Sequence, residues 1–451
     1  MLHPVVLPVL DEGLGNQAYL VDLGEGRALA VDPSVDLRAL DAEADRHGLR
    51  VVVAAETHLH ADFVSGATRL ARRDGTRVVA SAAGARHFDH VPLADGESLD
   101  LGGLTLRGWT TPGHTDEHLA YVLEDAGTVL AVFTGGSLIV GAAARPDLMS
   151  PELTEPLARA QFRSLRRLAT LPDNTPVYPT HGAGSFCSAP PGSERTSTIG
   201  HEKASNPLLA IEDEDLFVAT LLASLGTYPP YFANLSAVNR VGAADLGPVA
   251  LPGLSAADVA ARRAAGAEVV DVRPAADYGA GHVPRSIAIT LRPVFATWLG
   301  WLVPDPTTPL VVVRNPDQDP DEIVWQARKI GYDSIVGELA GGVTAWAAAG
   351  QPVAATPMAD VRDVDPSTLV DVRQRNEYAA GHIPGAANVE LGSLAGHDLP
   401  DGPVVTMCGH SERAATGASV LERAGRHDVS FLGAGPADWA EATGHQVEVS
   451  A

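Results

Sequence analysis

The chain is short of cysteine, of basic charge and of long hydrophobic runs. Two cysteines in 451 residues exclude a disulfide framework, so each thiol matters through its chemistry. Against 56 Asp and Glu stand only 32 Lys and Arg, a formal charge of −24. Nucleic acid and anionic membranes want a basic face, so neither is expected as a partner. The apolar run 130–144 is broken by Gly135, Gly136 and Gly141 and is too short to span a bilayer. Met1-Leu2-His3-Pro4-Val5 has no basic segment ahead of its apolar residues, so no secretory signal is expected. These absences predict a soluble, cytoplasmic, acidic enzyme of about three domains.

What is present gathers at strand-to-loop junctions. Residues 50–56 are apolar and β-branched and read as a buried strand. They run into Thr57-His58-Leu59-His60-Ala61-Asp62-Phe63. Packing does not ask for two imidazoles and a carboxylate in five residues, whereas a divalent metal does. Strand signals at 104–110, 128–133 and 177–180 run into Pro112-Gly113-His114-Thr115, Thr134-Gly135-Gly136-Ser137 and His181-Gly182-Ala183-Gly184. Strands that each deliver a polar residue at the tip build a site along one edge of a layered sheet. Residues 19–22 and 28–32 predict a hairpin, and 37–47 and 66–73 predict helices. Residues 193–206 read as polar turns, 208–225 as a helix and 239–254 as a linker. His87 and His90 read as surface or packing residues. Cys187 lies on a Gly/Ser loop near the presumed metal pocket, as a second sulfur acceptor or a bland thiol.

The remainder is an internal repeat of one hundred residues. Val269-Val270-Asp271-Val272-Arg273, Tyr278 and Gly281-His282-Val283-Pro284 return as Leu369-Val370-Asp371-Val372-Arg373, Tyr378 and Gly381-His382-Ile383-Pro384. Each copy continues with an apolar strand, a loop, a helix and a late tryptophan, Trp346 or Trp439. That period exceeds those of solenoid arrays, so the pattern is a domain duplication with a small parallel sheet in each copy. His282 and His382 belong to its structural turn.

In the second copy Cys408-Gly409-His410-Ser411-Glu412-Arg413 falls between a strand and the helical run 414–424. A thiol at a helix N-terminus meets converging N–H groups and the positive end of the dipole. Its pKa is expected to fall, giving a thiolate nucleophile. Arg413 would add a fixed positive charge, and Gly409, His410, Ser411 and Glu412 would line the substrate. The first copy places Arg314 where the thiol belongs, so it cannot form a persulfide. Its expected job is structural.

The repeat resembles the rhodanese (sulfurtransferase) family, through the Asp-Val-Arg strands, Glu377-Tyr378, Gly381-His382-Ile383-Pro384-Gly385-Ala386 and the 408–413 loop. The first half resembles the metallo-β-lactamase superfamily through His58-Leu59-His60-Ala61-Asp62, Pro112-Gly113-His114-Thr115 and Tyr178-Pro179-Thr180-His181. Within that superfamily it looks most like persulfide dioxygenases fused to rhodanese domains. The resemblance implies an α/β multidomain chain: an αββα metallo-β-lactamase-like sandwich (1–245), an inactive rhodanese-like domain (255–352) and a rhodanese domain with Cys408 (358–451). It implies iron on His58, His114 and an aspartate after Thr-Gly. Gly136 stands where that aspartate belongs, and Phe63 stands where dinuclear hydrolases carry a histidine. His60 would then complete the site, with Asp62 and His181 as further candidates, or the metal is lost. The expected cofactor is one divalent metal, Fe(II) ahead of zinc, with no organic cofactor. The expected partners are small persulfides, thiosulfate and thiols, and a homodimer is allowed. The expected function is persulfide oxidation coupled to sulfur transfer through Cys408. The alternatives are a sulfurtransferase with a degenerate binding domain, and, behind it, a metal-dependent thioester hydrolase.

Overall fold

The computed structural model describes residues 4–187, 192–399 and 401–450. Residues 1–3, where a secretory signal would begin, lie outside the described part. The chain divides into two compact units, 1–247 with 328–331, and 248–327 with 332–451.

In the first unit two six-stranded sheets face each other. One runs Val6–Asp11, Asn16–Gly24, Arg27–Val31, Arg50–Ala55, Arg77–Ser81 and Val91–Leu93 in sequence order. The other runs Ser197–Thr198, Pro176–Pro179, Thr128–Gly135, Leu119–Asp125, Thr105–Thr110 and Ser98–Asp100. Alternate side chains from both sheets fill the space between them, among them Tyr19, Val21, Leu29, Val53, Leu106, Tyr121 and Phe133. Arg38–His47 and Ala67–Asp74 cover the outside of the first sheet, through Leu40, Ala44 and Leu70. Pro151–Leu168 and Glu214–Ala223 cover the second, through Phe162, Leu165, Phe217 and Leu221. This is the expected αββα sandwich. The helix Arg38–His47 stops at Gly48, which takes the left-handed conformation a side chain resists (φ 63).

Three local expectations change. The helix read over 208–225 begins only at Glu214, because the Asp213 carboxylate caps it by accepting from Leu216 N at 2.8 Å. The turns read over 193–206 contain the short strand Ser197–Thr198 and the helix Ile199–Ser205, capped by Thr198. Asn239 is not linker: it is buried in the helix Phe232–Val241, and the chain leaves that helix at Gly242.

The second unit holds two five-stranded parallel sheets. The first is ordered Gly253–Leu254, Ile335–Leu339, Leu310–Val313, Glu268–Asp271, Ile287–Ala288. The second repeats that order with Met358–Ala359, Val429–Leu432, Val404–Met407, Leu369–Asp371, Ala387–Asn388. Trp346 and Trp439 are core residues of the two copies. Among the described residues no helix is long and apolar enough to cross a membrane.

Candidate metal centre and thiol site

The strand Arg50–Ala55 carries the His58–Phe63 loop, Thr105–Thr110 carries His114, Thr128–Gly135 carries Gly136 and Pro176–Pro179 carries His181. All four imidazoles, His58, His60, His114 and His181, are buried, and their rings lie close together. His58, His60 and His181 bring donor nitrogens within 4.8 Å of one another; His114, His181 and Cys187 form a second such group.

Their neighbours decide which nitrogen is bare. Thr57 donates its hydroxyl to Asp32 (2.7 Å), so at 2.9 Å it accepts from His58 Nδ1. Asn16 donates its amide to Asp62 (2.7 Å), so its oxygen accepts from His181 Nδ1 (2.8 Å). The Arg145 carbonyl accepts from His114 Nδ1 at 2.7 Å. Each ring therefore turns a lone pair outward at Nε2. His114 Nε2 meets no partner, and His58 Nε2 and His181 Nε2 face each other at 3.3 Å. Two bare lone pairs repel at that distance unless a cation sits beside them. Two nitrogens bound to one tetrahedral zinc at about 2.05 Å would stand roughly 3.3 Å apart. The donor set thus fits a divalent metal. Burial and the neighbouring imidazoles hold His114 and His181 down to about 3, so both are neutral, as ligands must be.

His60 is placed less simply. Neither ring nitrogen makes a hydrogen bond, and Nε2 lies 3.2 Å from Asp32 Oδ1. Burial would push the Asp32 carboxyl up, but His60 and the Thr180 and Thr57 hydroxyls hold it down to about 2. Phe63 lies against the His60 ring, 4.1 Å between centroids. Asp62 sits at the Nδ1 edge of His181, 3.5 Å away.

A Cβ on Gly136 would stand 2.4 Å from His114 Cδ2. No aspartate fits there with His114 in place, so the missing carboxylate is built out of the pocket. The Gly136 amide instead donates to His118 Nε2 at 3.0 Å, while His118 Nδ1 donates to Thr111. His118 is a buried fifth imidazole that the sequence reading passed over; its spacing of four from His114 was the available signal. Asn239 was missed too. Its amide donates to the His60 and Phe63 carbonyls and accepts from Ser65 N, each at 2.8 Å, so it pins the ligand loop from 174 or more residues away. Cys187 is fully buried. His87 is exposed and His90 half-buried, as read.

In the second unit Cys408 follows the strand Val404–Met407 and precedes the helix Glu412–Arg423. It accepts from His410 N at 3.4 Å. Contrary to expectation it is buried, 1% exposed, and burial pushes its pKa up; the Arg413 charge and backbone N–H groups only partly oppose this. Nor is Arg413 a free charge: it pairs with both Glu377 oxygens at 2.6 and 2.8 Å. His410 is exposed, and Gly409, Ser411 and Glu412 are half-buried around the loop. His282 and His382 stack on Tyr278 and Tyr378 at 3.8 Å and donate to their carbonyls, a structural use.

Comparison with known proteins agrees with this architecture. The model of the metallo-beta-lactamase superfamily matches residues 11–181, and that of the rhodanese-like domain matches 255–349 and 355–442. A hydroxyacylglutathione hydrolase of Methylococcus capsulatus is 38% identical over 186 residues, 40% of this chain and just under two thirds (66%) of that protein. The human mitochondrial persulfide dioxygenase ETHE1 is 29% identical over 202 residues, 44% of this chain and 72% of that protein. The crystal structure of a metallo-beta-lactamase from Staphylococcus aureus subsp. aureus COL matches with a TM-score of 0.66 and 26% identity, over 75% of this chain and 99% of that one.

Proposed function

We propose that this chain, a metallo-beta-lactamase superfamily domain joined to two rhodanese-like domains, is a sulfur-metabolism enzyme that oxidises a thiol persulfide of the glutathione type and carries sulfane sulfur on Cys408. The observation that supports the oxidative half is the pair of bare Nε2 lone pairs of His58 and His181 facing each other in a buried pocket, with His60 grouped beside both and His114, its Nε2 unpartnered, grouped with His181. A divalent metal held by those three residues and His60, Fe(II) ahead of zinc, would supply Lewis acidity toward a sulfur anion and, as iron, a path for electrons to O2. Thr57, Asn16 and the Arg145 carbonyl fix the rings and their tautomers. Phe63 and the buried walls exclude water. In net terms one persulfide, one O2 and one water become one thiol and sulfurous acid, which ionises to sulfite.

At the second site the Cys408 thiolate attacks the outer sulfur of a donor such as thiosulfate. The donor S–S bond breaks, sulfite leaves, and Cys408 holds the sulfur as a persulfide anion. An acceptor thiolate or sulfite then takes that sulfur and returns the Cys408 thiolate. Sulfite from the oxidation is an acceptor for the transfer, which gives the fusion a chemical reason. The hydroxyacylglutathione hydrolase likeness points to thioester hydrolysis, but Phe63 removes a ligand that a two-metal hydrolase would use.

A second reading is favoured by Gly136, whose surroundings leave no room for a carboxylate: the N-terminal domain binds without catalysing, and Cys408 alone is active. Protein purified without oxygen, loaded with Fe(II) and given glutathione persulfide separates the two. We expect about one iron per chain and O2 uptake matched by sulfite. One bound iron without uptake leaves the transferase alone.

A further inference from the structure

A dication held by neutral imidazoles alone gains no negative charge from its ligands, and a buried charge without an anionic ligand is costly. The carboxylate that would neutralise it is absent at Gly136, and the surroundings forbid its return. The carboxylates nearby each already accept a hydrogen bond or pair with a cation. Asp32 accepts from Thr57 N, Thr57 Oγ1 and Thr180. Glu117 accepts from Leu59 N, and Glu56 pairs with Arg86. Asp62 accepts from Asn16 through Oδ2 and faces the His181 nitrogen that Asn16 already holds; its Oδ1 has no partner, but Asp62 does not join His114 and His181 in a close group of donor atoms.

Among the described residues the group that His114 and His181 form with a third donor contains Cys187. Cys187 is fully buried, and its Sγ lies within 4.8 Å of donor nitrogens of both His114 and His181. The unpartnered, buried His114 Nε2 belongs to the same pocket. Cys187 is also held in position. Its carbonyl accepts from Arg145 N at 2.9 Å, and the Arg145 guanidinium donates to the Phe186 carbonyl beside it. The Arg145 carbonyl in turn orients His114. One residue thus sets both the imidazole and the thiol.

We infer that Cys187 is the anionic ligand of this centre, taking as a thiolate the place that the aspartate leaves open. On binding, the ion displaces the thiol proton to solvent and a metal–sulfur bond forms, so one negative charge enters the pocket with the metal. A thiolate also biases the site toward softer ions than a carboxylate would. This rests on the metal reading above and adds the ligand's identity.

The test uses the fact that the chain has two cysteines. In full-length Cys408→Ser protein Cys187 is the sole thiol. Cobalt(II) titrated anaerobically into that protein should bind at one equivalent and give an intense near-ultraviolet sulfur-to-cobalt charge-transfer band. Adding Cys187→Ser should abolish the band, leave the weaker visible bands of imidazole-bound cobalt, and loosen binding at least about tenfold. One bound cobalt in Cys408→Ser protein without the charge-transfer band overturns the thiolate ligand and leaves the histidine centre standing. No cobalt bound overturns both. The single-thiol protein carries the decision even if the double variant folds poorly.

Discussion

The two rhodanese-like copies share a scaffold and differ in one loop. In both, an arginine two residues after the strand aspartate pairs with it at 2.6 Å and donates to a glycine carbonyl at 2.8 Å: Arg273 with Asp271 and Gly281, Arg373 with Asp371 and Gly381. In both, a histidine stacks on a tyrosine. The loops have opposite polarity. In the first, the Arg314 guanidinium fills the turn, pairing with Glu338 and donating to the carbonyls of Asn315, Pro316 and Gln318. In the second, Cys408 accepts an N–H. One loop turns acceptors to its own cation; the other turns a donor to a sulfur. The first copy still serves the second. The helix Glu412–Arg423, which leads from the Cys408 loop, is tied to it by Arg423–Glu268 (2.8 Å), His282–Glu422 (3.2 Å) and Ser419 accepting from Ala288 N.

The largest effect should come from deleting the one thiol with this environment. Cys408→Ser is expected to lower thiosulfate-to-cyanide sulfur transfer by at least about 10³-fold, as loss of a covalent nucleophile does. The sharper version adds Arg314→Cys to that background. If loop polarity matters, a cysteine at 314 meets carbonyls and restores nothing. Restored transfer would sink the comparison. Next in size, Arg314→Ala leaves Glu338 and three carbonyls without their cation. It should cost about 1–3 kcal/mol in denaturant unfolding, while Cys408-dependent transfer in the folded protein stays within about twofold.

Much of this is legible in the sequence. The duplicated Asp-Val-Arg strands and the His58–Asp62 loop are local patterns, and local patterns announce themselves at fixed spacing. What could not be read comes from long-range packing. Asn239 looked like linker because its partners, at 60, 63 and 65, are remote in sequence. The depth of Cys408 was misread because a polar loop can be covered by the rest of its domain. Gly136 was seen to lack a carboxylate, but only the position of His114 shows that none fits.

The smallest effect tests how the Cys408 loop compensates for that burial. Because burial raises the thiol pKa, the thiolate fraction is small at neutral pH, and kcat/KM for thiosulfate should climb with pH beyond the range of an ordinary free thiol. A plateau below neutrality would show that the N–H groups win after all. Arg413 works against burial, and Glu377 blunts it. Burial pushes the Glu377 carboxyl up, Arg413 pulls it below its usual range, and the pair largely cancels its own field. Removing each partner should therefore move the profile in opposite directions. Arg413→Ala withdraws the stabilising charge and shifts the rise to higher pH. Glu377→Gln frees that charge to act on the sulfur and shifts it lower, by about one unit or less, equivalent to about 1.4 kcal/mol. Shifts of the same sign in both variants would mean that they act by loosening the loop, and that charge on Arg413 does not set the Cys408 thiolate.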